Sequence, residues 1–255
     1  RHLHAETDAE IGNLALAGEA HAGDLALGTA LAERAQGKEL MDADDLPADT
    51  YAAVVRDLAR VNAVTLAARP TLAFLRAHTR PGGLYRLLDV GFGDGDMLRR
   101  IARWGARRDV AFDLVGIDLN PRSELAARAD TPAALAIDYR TGDYADLVDE
   151  PWDFIVSSLV AHHMTTAQLV AFLRFMHDHA RVGWLVNDLH RHRFAHAGWP
   201  LLARLFRWHP IVRHDGHLSI ARSYRPAEWQ PLLDQAGVAG RVFTAFPFRL
   251  CVARP

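Results

Sequence analysis

Cysteine occurs once in this chain of 255 residues, and so does lysine. Cys251 by itself cannot close an internal disulfide or furnish a thiolate metal site; it sits in an apolar run where it is expected to pack, and a reducing compartment is the expectation. Lys38 leaves arginine to carry nearly all the positive charge, which with abundant alanine points to a GC-rich bacterial genome. Net charge is also scarce: 29 basic and 31 acidic residues leave -2, no footprint for a polyanion, so nucleic acid is disfavoured as a partner. No run approaches the roughly 18 to 20 apolar residues of a membrane span, and the N-terminus lacks the apolar block of a signal peptide. A cytoplasmic protein without a membrane span is therefore expected. Internal repeats and low-complexity tracts are missing as well.

What is present is enough apolar material, 50% of the residues, to bury one substantial core. Residues 5–36 are rich in Ala, Leu and Glu but interrupted by glycines, which predicts one or two short helices. Asp49 or Thr50 is expected to cap a further helix carrying Val54, Val55, Leu58 and Val61, and a second apolar face runs through Leu66, Leu72, Phe74 and Leu75. From Tyr85 the pattern changes to strand-length apolar runs at 86–90, 112–117, 134–139, 154–159 and 184–187. Helical stretches at 97–104, 122–128 and 166–180 fit between them, the signature of a parallel α/β sheet. A helix at 226–236 leads to two last runs, 242–246 and 249–253, whose connection through Pro247 and Phe248 is too short for a crossover, so they pair antiparallel. The expected architecture is α/β and Rossmann-like: a mostly parallel seven-stranded sheet with an antiparallel last strand, flanked by helices. Residues 1–80 form a helical cap, residues 81–255 the main domain, and residues 190–225 an insertion at the site.

Chemistry concentrates at the ends of the strands. In Leu87-Leu88-Asp89-Val90-Gly91-Phe92-Gly93-Asp94-Gly95-Asp96 a strand runs into a glycine-rich turn and then a helix, so a ligand can lie against bare main chain beside free N–H groups. Asp96 stands where a dinucleotide fingerprint wants its third glycine. A diphosphate would also sit poorly among Asp89, Asp94 and Asp96, whereas a ligand bearing an ammonium and a sulfonium is attracted. The second strand ends in Gly116-Ile117-Asp118-Leu119-Asn120, where a carboxylate can accept from both hydroxyls of a ribose or simply cap the next helix. After the third strand, Gly142-Asp143-Tyr144 offers another carboxylate, which reads equally as an ordinary turn aspartate.

Together with Trp152-Asp153-Phe154-Ile155-Val156, these segments resemble the class I S-adenosylmethionine-dependent methyltransferase family over about residues 85–255. The resemblance is to the small-molecule branch that includes quinone-biosynthesis and polyketide-phenol enzymes of secondary metabolism. It implies that S-adenosylmethionine is bound and S-adenosylhomocysteine released. The glycine turn with Asp89, Gly91, Gly93 and Gly95 then holds the methionine end, Asp118 the ribose diol, and Asp143 with Tyr144 the adenine, with Leu119 and Ser158 also cofactor-binding. Phe92 stands where the family often has a small residue or cysteine, and the interval from Gly95 to Asp118 is long, implying an extended helix or loop around 107–110.

Methyl transfer needs acceptor and methyl about 3 to 3.5 Å apart and in line. A phenol, with a pKa near 10, also needs a base, and histidine suits the task. Among 14 histidines, His162 and His163 follow the fourth strand, where the resembling branch carries a similar pair, and His190 follows the fifth. Each also reads as a packing or surface residue. His214-Asp215-Gly216-His217 resembles a stretch of phenol-directed relatives, so His214, with Trp199 and Arg222, is expected to touch the acceptor. The run Phe194, Trp199, Leu202, Leu205, Phe206 and Trp208 has helical spacing and forms an acceptor lid or a core-facing helix. Neighbouring histidines at 177 and 179, or 190 and 192, do not share a helix face, and no glutamate cluster completes a ligand set, so no metal is expected. The activity expected is methylation of a phenolic, quinol or polyketide-derived hydroxyl on a small molecule by a monomer or homodimer. Carbon methylation of a similar ring, a nicotinamide-dependent oxidoreductase and a non-catalytic nucleoside-binding module are the rivals.

Overall fold

The computed structural model describes residues 31–43 and 45–254. Most of the helical stretch expected at residues 5–36 lies outside that range, and residues 31–36 are a turn followed by irregular chain. The elements that follow are α1 (Ala48–Val64), α2 (Arg69–His78), β1 (Gly83–Val90), α3 (Asp96–Ala106), β2 (Val110–Asp118), α4 (Pro121–Asp130) and β3 (Ile137–Thr141). After them come β4 (Trp152–Ser158), α5 (Thr166–His179), β5 (Ala180–Leu189), α6 (Arg193–Leu205), α7 (Pro210–Arg222), α8 (Pro226–Ala236), β6 (Arg241–Ala245) and β7 (Arg249–Arg254).

The strands form one sheet in the order β3-β2-β1-β4-β5-β7-β6, with β1 to β5 parallel and β7 antiparallel to both of its neighbours. Continuous apolar runs such as Leu87-Leu88 and Phe154-Ile155 are buried because helices cover both faces of the sheet. Leu88, Ile155, Trp184 and Val252 face α5 and α8 on one side; Leu87, Phe154, Leu185 and Cys251 face α2 and α3 on the other. From β1 the chain winds outward through β2 and β3, then returns to place β4 on the other flank of β1. That reversal leaves a crevice beyond the C-terminal ends of β1 and β4, the place where open α/β sheets bind ligands.

Two local expectations need correction. Pro47 precedes α1 and no side chain caps that helix; Asp49 accepts only the adjacent Thr50 N–H, at 2.8 Å. The third strand starts at Ile137 rather than Ala134, because the Leu135 N–H bonds back to Pro132 and closes a turn there. Residues 190–225 are two helices, α6 and α7, whose N-termini are capped by His192 and His209. These two helices pack with α1 around Val54, Trp199, Trp208, Val212 and Ile220 in a separate apolar cluster over the crevice.

Both departures from the family pattern have local explanations. Phe92 is buried against Tyr139 at 5.0 Å, and the ring has room because residue 116 is glycine, whose Cβ would lie 2.7 Å from it. The long interval before Asp118 is taken up by a turn at 107–109, where Asp109 has φ 55°. No helix among the described residues is long and apolar enough to cross a membrane.

Candidate active site

The crevice opens into a cavity of about 720 Å³. Its wall runs from the turn after β1 across the end of β2, the turn after β4 and the end of β5, and is closed above by α1, α6, α7 and residues 39–42.

The turn after β1 needs glycine for two separate reasons. Gly91 has φ 74° and a Cβ there would lie 2.4 Å from Val160, so this turn packs directly on the one after β4. Gly93 has φ 57° and nothing within 4 Å of where its Cβ would be, so bare main chain faces the cavity. Asp118 ties this turn to β2: one carboxylate oxygen accepts the Gly93 N–H at 3.0 Å and the other accepts the Asn120 N–H at 2.9 Å. It does not cap α4, a task that falls to Asn120, which accepts from Arg122 N–H at 3.0 Å. Asp89 is 1% exposed. Burial, then the neighbouring Asp118 and Asp94, push its carboxyl up to about 7. Asp89, whose Oδ1 has no partner among the described residues, lies in a smaller pocket beside the main cavity, with Gly91, Asp94, Asp96 and Ser158. A cationic group entering there gives Asp89 the partner it lacks, so the donor set fits a nucleoside bearing ammonium and sulfonium charges.

Of the residues singled out from the sequence, Gly91, Gly93, Asp118, Leu119, Tyr144, Ser158, His162, His163, His190 and Trp199 meet in the cavity wall. Gly95 lies behind it: a Cβ would fall 2.4 Å from Tyr139 Oη, so glycine is required for packing. Asp143 is exposed and caps the short turn Tyr144–Leu147 through the Ala145 N–H at 3.0 Å, the ordinary turn role rather than a wall position. His214 is half exposed and its Nδ1 bonds the Asp215 carboxylate at 2.9 Å; it is Asp215, one helical step on, that faces the cavity. Arg222 reaches the site from behind, donating to His163 Nδ1 at 3.0 Å and to Gly37 O at 2.9 Å.

The histidine pair is the polar centre. His162 is 3% exposed, and its Nδ1 bonds Asp188 Oδ1 at 2.8 Å while Asp188 Oδ2 accepts the His162 main-chain N–H at 2.9 Å. On the far side, Nε2 lies 3.7 Å from Glu39 Oε1, an ionic contact. Burial opposes charge on this ring, but the Asp188 carboxylate and its hydrogen bond, with Glu39, overcome it and hold His162 up to about 9. His163 goes the other way: burial, the positive His162 and Arg222 pull it down to about 4. Burial would raise Glu39, yet both imidazoles and the Ser219 hydroxyl, which donates to it at 2.6 Å, hold it down to about 2. His190 is pulled down by burial, His192 and Arg225.

Glu39 was not legible in the sequence, since Lys38-Glu39-Leu40 has no periodicity or motif. It supplies the carboxylate that the sequence appeared to lack for a metal site, and its Oε1 comes within 4.8 Å of both histidines' ring nitrogens. The ligand types suit a metal, but the proton positions do not. Arg222 can only donate, so His163 Nδ1 accepts, the ring proton sits on Nε2, and that N–H faces Glu39 at 3.6 Å. An entering cation would meet a proton and a guanidinium.

Comparison with known proteins agrees with this geometry. Residues 87–183 match the family described as a methyltransferase domain. The chain is similar to the ubiquinone biosynthesis O-methyltransferase of Cereibacter sphaeroides, 31% identical over 159 residues, covering 60% of each chain. It thus spans 60% of that curated relative's length. In structure it is similar to a SAM-dependent methyltransferase from Aquifex aeolicus at 16% identity, with TM-score 0.54 over 79% of this chain and 96% of that one. Human N-acetylserotonin methyltransferase in complex with SAM aligns at 18% identity, with TM-score 0.57 over 89% of this chain and 64% of that one. At these identities the likenesses establish the fold.

Proposed function

We propose that this chain, whose residues 87–183 match a methyltransferase domain, is a class I S-adenosylmethionine-dependent methyltransferase that methylates the hydroxyl of a phenolic, quinol or polyketide-derived small molecule. One observation carries the reading: His162, fixed by Asp188 at 2.8 Å, stands in the wall of the same cavity as the glycine turn and Asp118.

S-adenosylmethionine supplies a methyl group on a positive sulfur, so the protein has only to place the acceptor and relieve it of a proton. Asp89, Asp94 and Asp118 bring three carboxyl groups to the donor end, where a cation favours their ionised forms, and Gly93 leaves main chain bare beside them. Met41, Val54, Leu58, Met164, Trp199 and Phe248 make the acceptor end apolar and keep water out. Asp188 orients the His162 ring so that Nε2 faces Glu39 and the cavity, and Nε2 accepts the hydroxyl proton. His162 must be neutral to do this, and its carboxylate neighbours keep it charged at pH 7. The similarity to an O-methyltransferase of ubiquinone biosynthesis supports an oxygen on a ring as the methyl acceptor. A reducing cytoplasm suits the one cysteine, Cys251, which is buried and whose thiol burial pushes up to about 12; a small-molecule acceptor and a monomer or homodimer complete the reading.

Incubation with methyl-labelled donor and a panel of phenols, quinols and amines tests the activity: label on a hydroxyl is expected, and label on none of them sinks the reading. The pH profile then tests the base. With His162 in that role, kcat/KM rises about tenfold per pH unit and levels off near 9. With His163 or His190, both pulled below 6.5, it levels off in the acid range instead.

A further inference from the structure

Arg249, the first residue of β7, is 1% exposed and has a guanidinium that the fold leaves largely unused. Nη2 donates to Thr65 Oγ1 at 3.0 Å, but Nε and Nη1 have no hydrogen-bond partner among the described residues. The opposite charge that Arg249 feels is Asp188, and that carboxylate is already occupied by the ring and main chain of His162 and by the Leu189 N–H. Burial draws the guanidinium down to about 10, still charged at neutral pH. A buried cation with idle donors is costly, and charged side chains are rarely buried unless paired.

The position of Arg249 indicates what would pair with it. Among the described residues it is the only arginine or lysine in the wall of the large cavity, beside Thr65, Leu189, Pro247 and Phe248. It does not line the smaller pocket that holds Asp89 and the glycine turn, so it stands at the acceptor end and away from the donor end. The register also pairs Arg249 with Leu189, next to Asp188 and hence near the His162 side of the chamber.

We propose that Arg249 receives a carboxylate on the acceptor, so that this chain acts on a hydroxylated aromatic acid in preference to an uncharged ring. The inference rests on the methyl-transfer reading of the same cavity and narrows its substrate class. An arriving carboxylate supplies acceptors for the idle N–H groups and a charge for the guanidinium. The apolar walls around it strengthen the pair.

Titration calorimetry on the full chain, with and without S-adenosylhomocysteine, tests this with hydroxybenzoates against the matched hydroxybenzamides. The acids are expected to bind about tenfold more tightly or better. Arg249→Met abolishes that preference while leaving S-adenosylhomocysteine affinity unchanged, and Arg249→Lys retains part of it. The ligand-free Arg249→Met protein is expected to melt no lower than the wild type, because it loses a buried unpaired charge. Equal binding of acid and amide by the wild type, or binding of neither, overturns the proposal. Loss of S-adenosylhomocysteine binding in Arg249→Met overturns it too and assigns the guanidinium to the donor. Failure of the wild type to bind S-adenosylhomocysteine counts against the methyltransferase reading, while the arm without it still reports on Arg249.

Discussion

Asp188 accepts from both the ring and the main chain of His162, and Glu39 approaches the ring from its other edge. Folding therefore raises the pKa of His162 from 6.5 to about 9. The sign follows from linkage: the folded state binds the proton more tightly, so the stabilisation is complete below pH 6.5 and is lost as pH rises through about 9. It amounts to roughly 3 kcal/mol at most. Urea unfolding at pH 6 and pH 9.5 is expected to show this loss in the wild type and not in His162→Gln. Asp118 accepts two main-chain N–H groups, from Gly93 and Asn120, and the proposed function gives it the ribose diol. Asp118→Ala is expected to weaken S-adenosylhomocysteine binding by about tenfold to a hundredfold, read by calorimetry, with far-ultraviolet circular dichroism unchanged. Unchanged affinity would remove Asp118 from the donor site.

The elements meet at their turns. β1 and β4 are neighbours in register, Val90 opposite Ser157, and the Ser157 hydroxyl donates to Val90 O at 2.9 Å. Just beyond, the first glycine after β1 leaves space for the Val160 side chain, two residues before His162. A methyl group added at Gly91 would strain a left-handed residue and press on Val160 from 2.4 Å. Gly91→Ala is expected to cost about 1 to 3 kcal/mol, seen as a melting temperature several degrees lower. It should also lower kcat with saturating donor, because displacement of Val160 carries the histidine turn with it. A drop in stability with kcat intact would show that the two turns are mechanically independent.

Over the whole molecule, the cavity is closed by chain from far outside the sheet. Residues 34–41 lie across α7: Leu40 and Met41 N–H both bond the Asp215 carboxylate, at 2.8 and 2.9 Å, and Arg34 reaches His162 O and Tyr224 Oη. These contacts are mostly polar, so the strap is held to α7 chiefly by hydrogen bonds, with Met41 packed against the apolar cluster beneath it. Asp215→Ala is expected to speed hydrogen exchange at residues 39–42 and raise the acceptor KM, while donor affinity stays within about twofold. Protection of those amides equal to wild type would mean that the Asp215 carboxylate does not hold the strap and that the contacts of Arg34, Gly37 and Glu39 suffice.

The alternation of apolar runs with helical stretches, the glycines after β1 and the carboxylate after β2 were readable along the chain, because each depends on neighbours within about ten residues. They determined a parallel α/β sheet, its antiparallel end and the glycine turn that faces the cavity. Strand ends carrying His162, His163 and His190 were readable for the same reason. Tertiary structure alone decided the rest. Asp143 turned out to serve its own turn and His214 to face outward, because a single step along a helix or turn changes where a side chain points. Glu39, 123 positions before His162, and Arg249, 60 positions after Asp188's neighbour Leu189, joined the cavity through contacts that no local pattern encodes. What protonation state each histidine takes depends on those distant charges and on burial, quantities that exist only once the chain has folded around them.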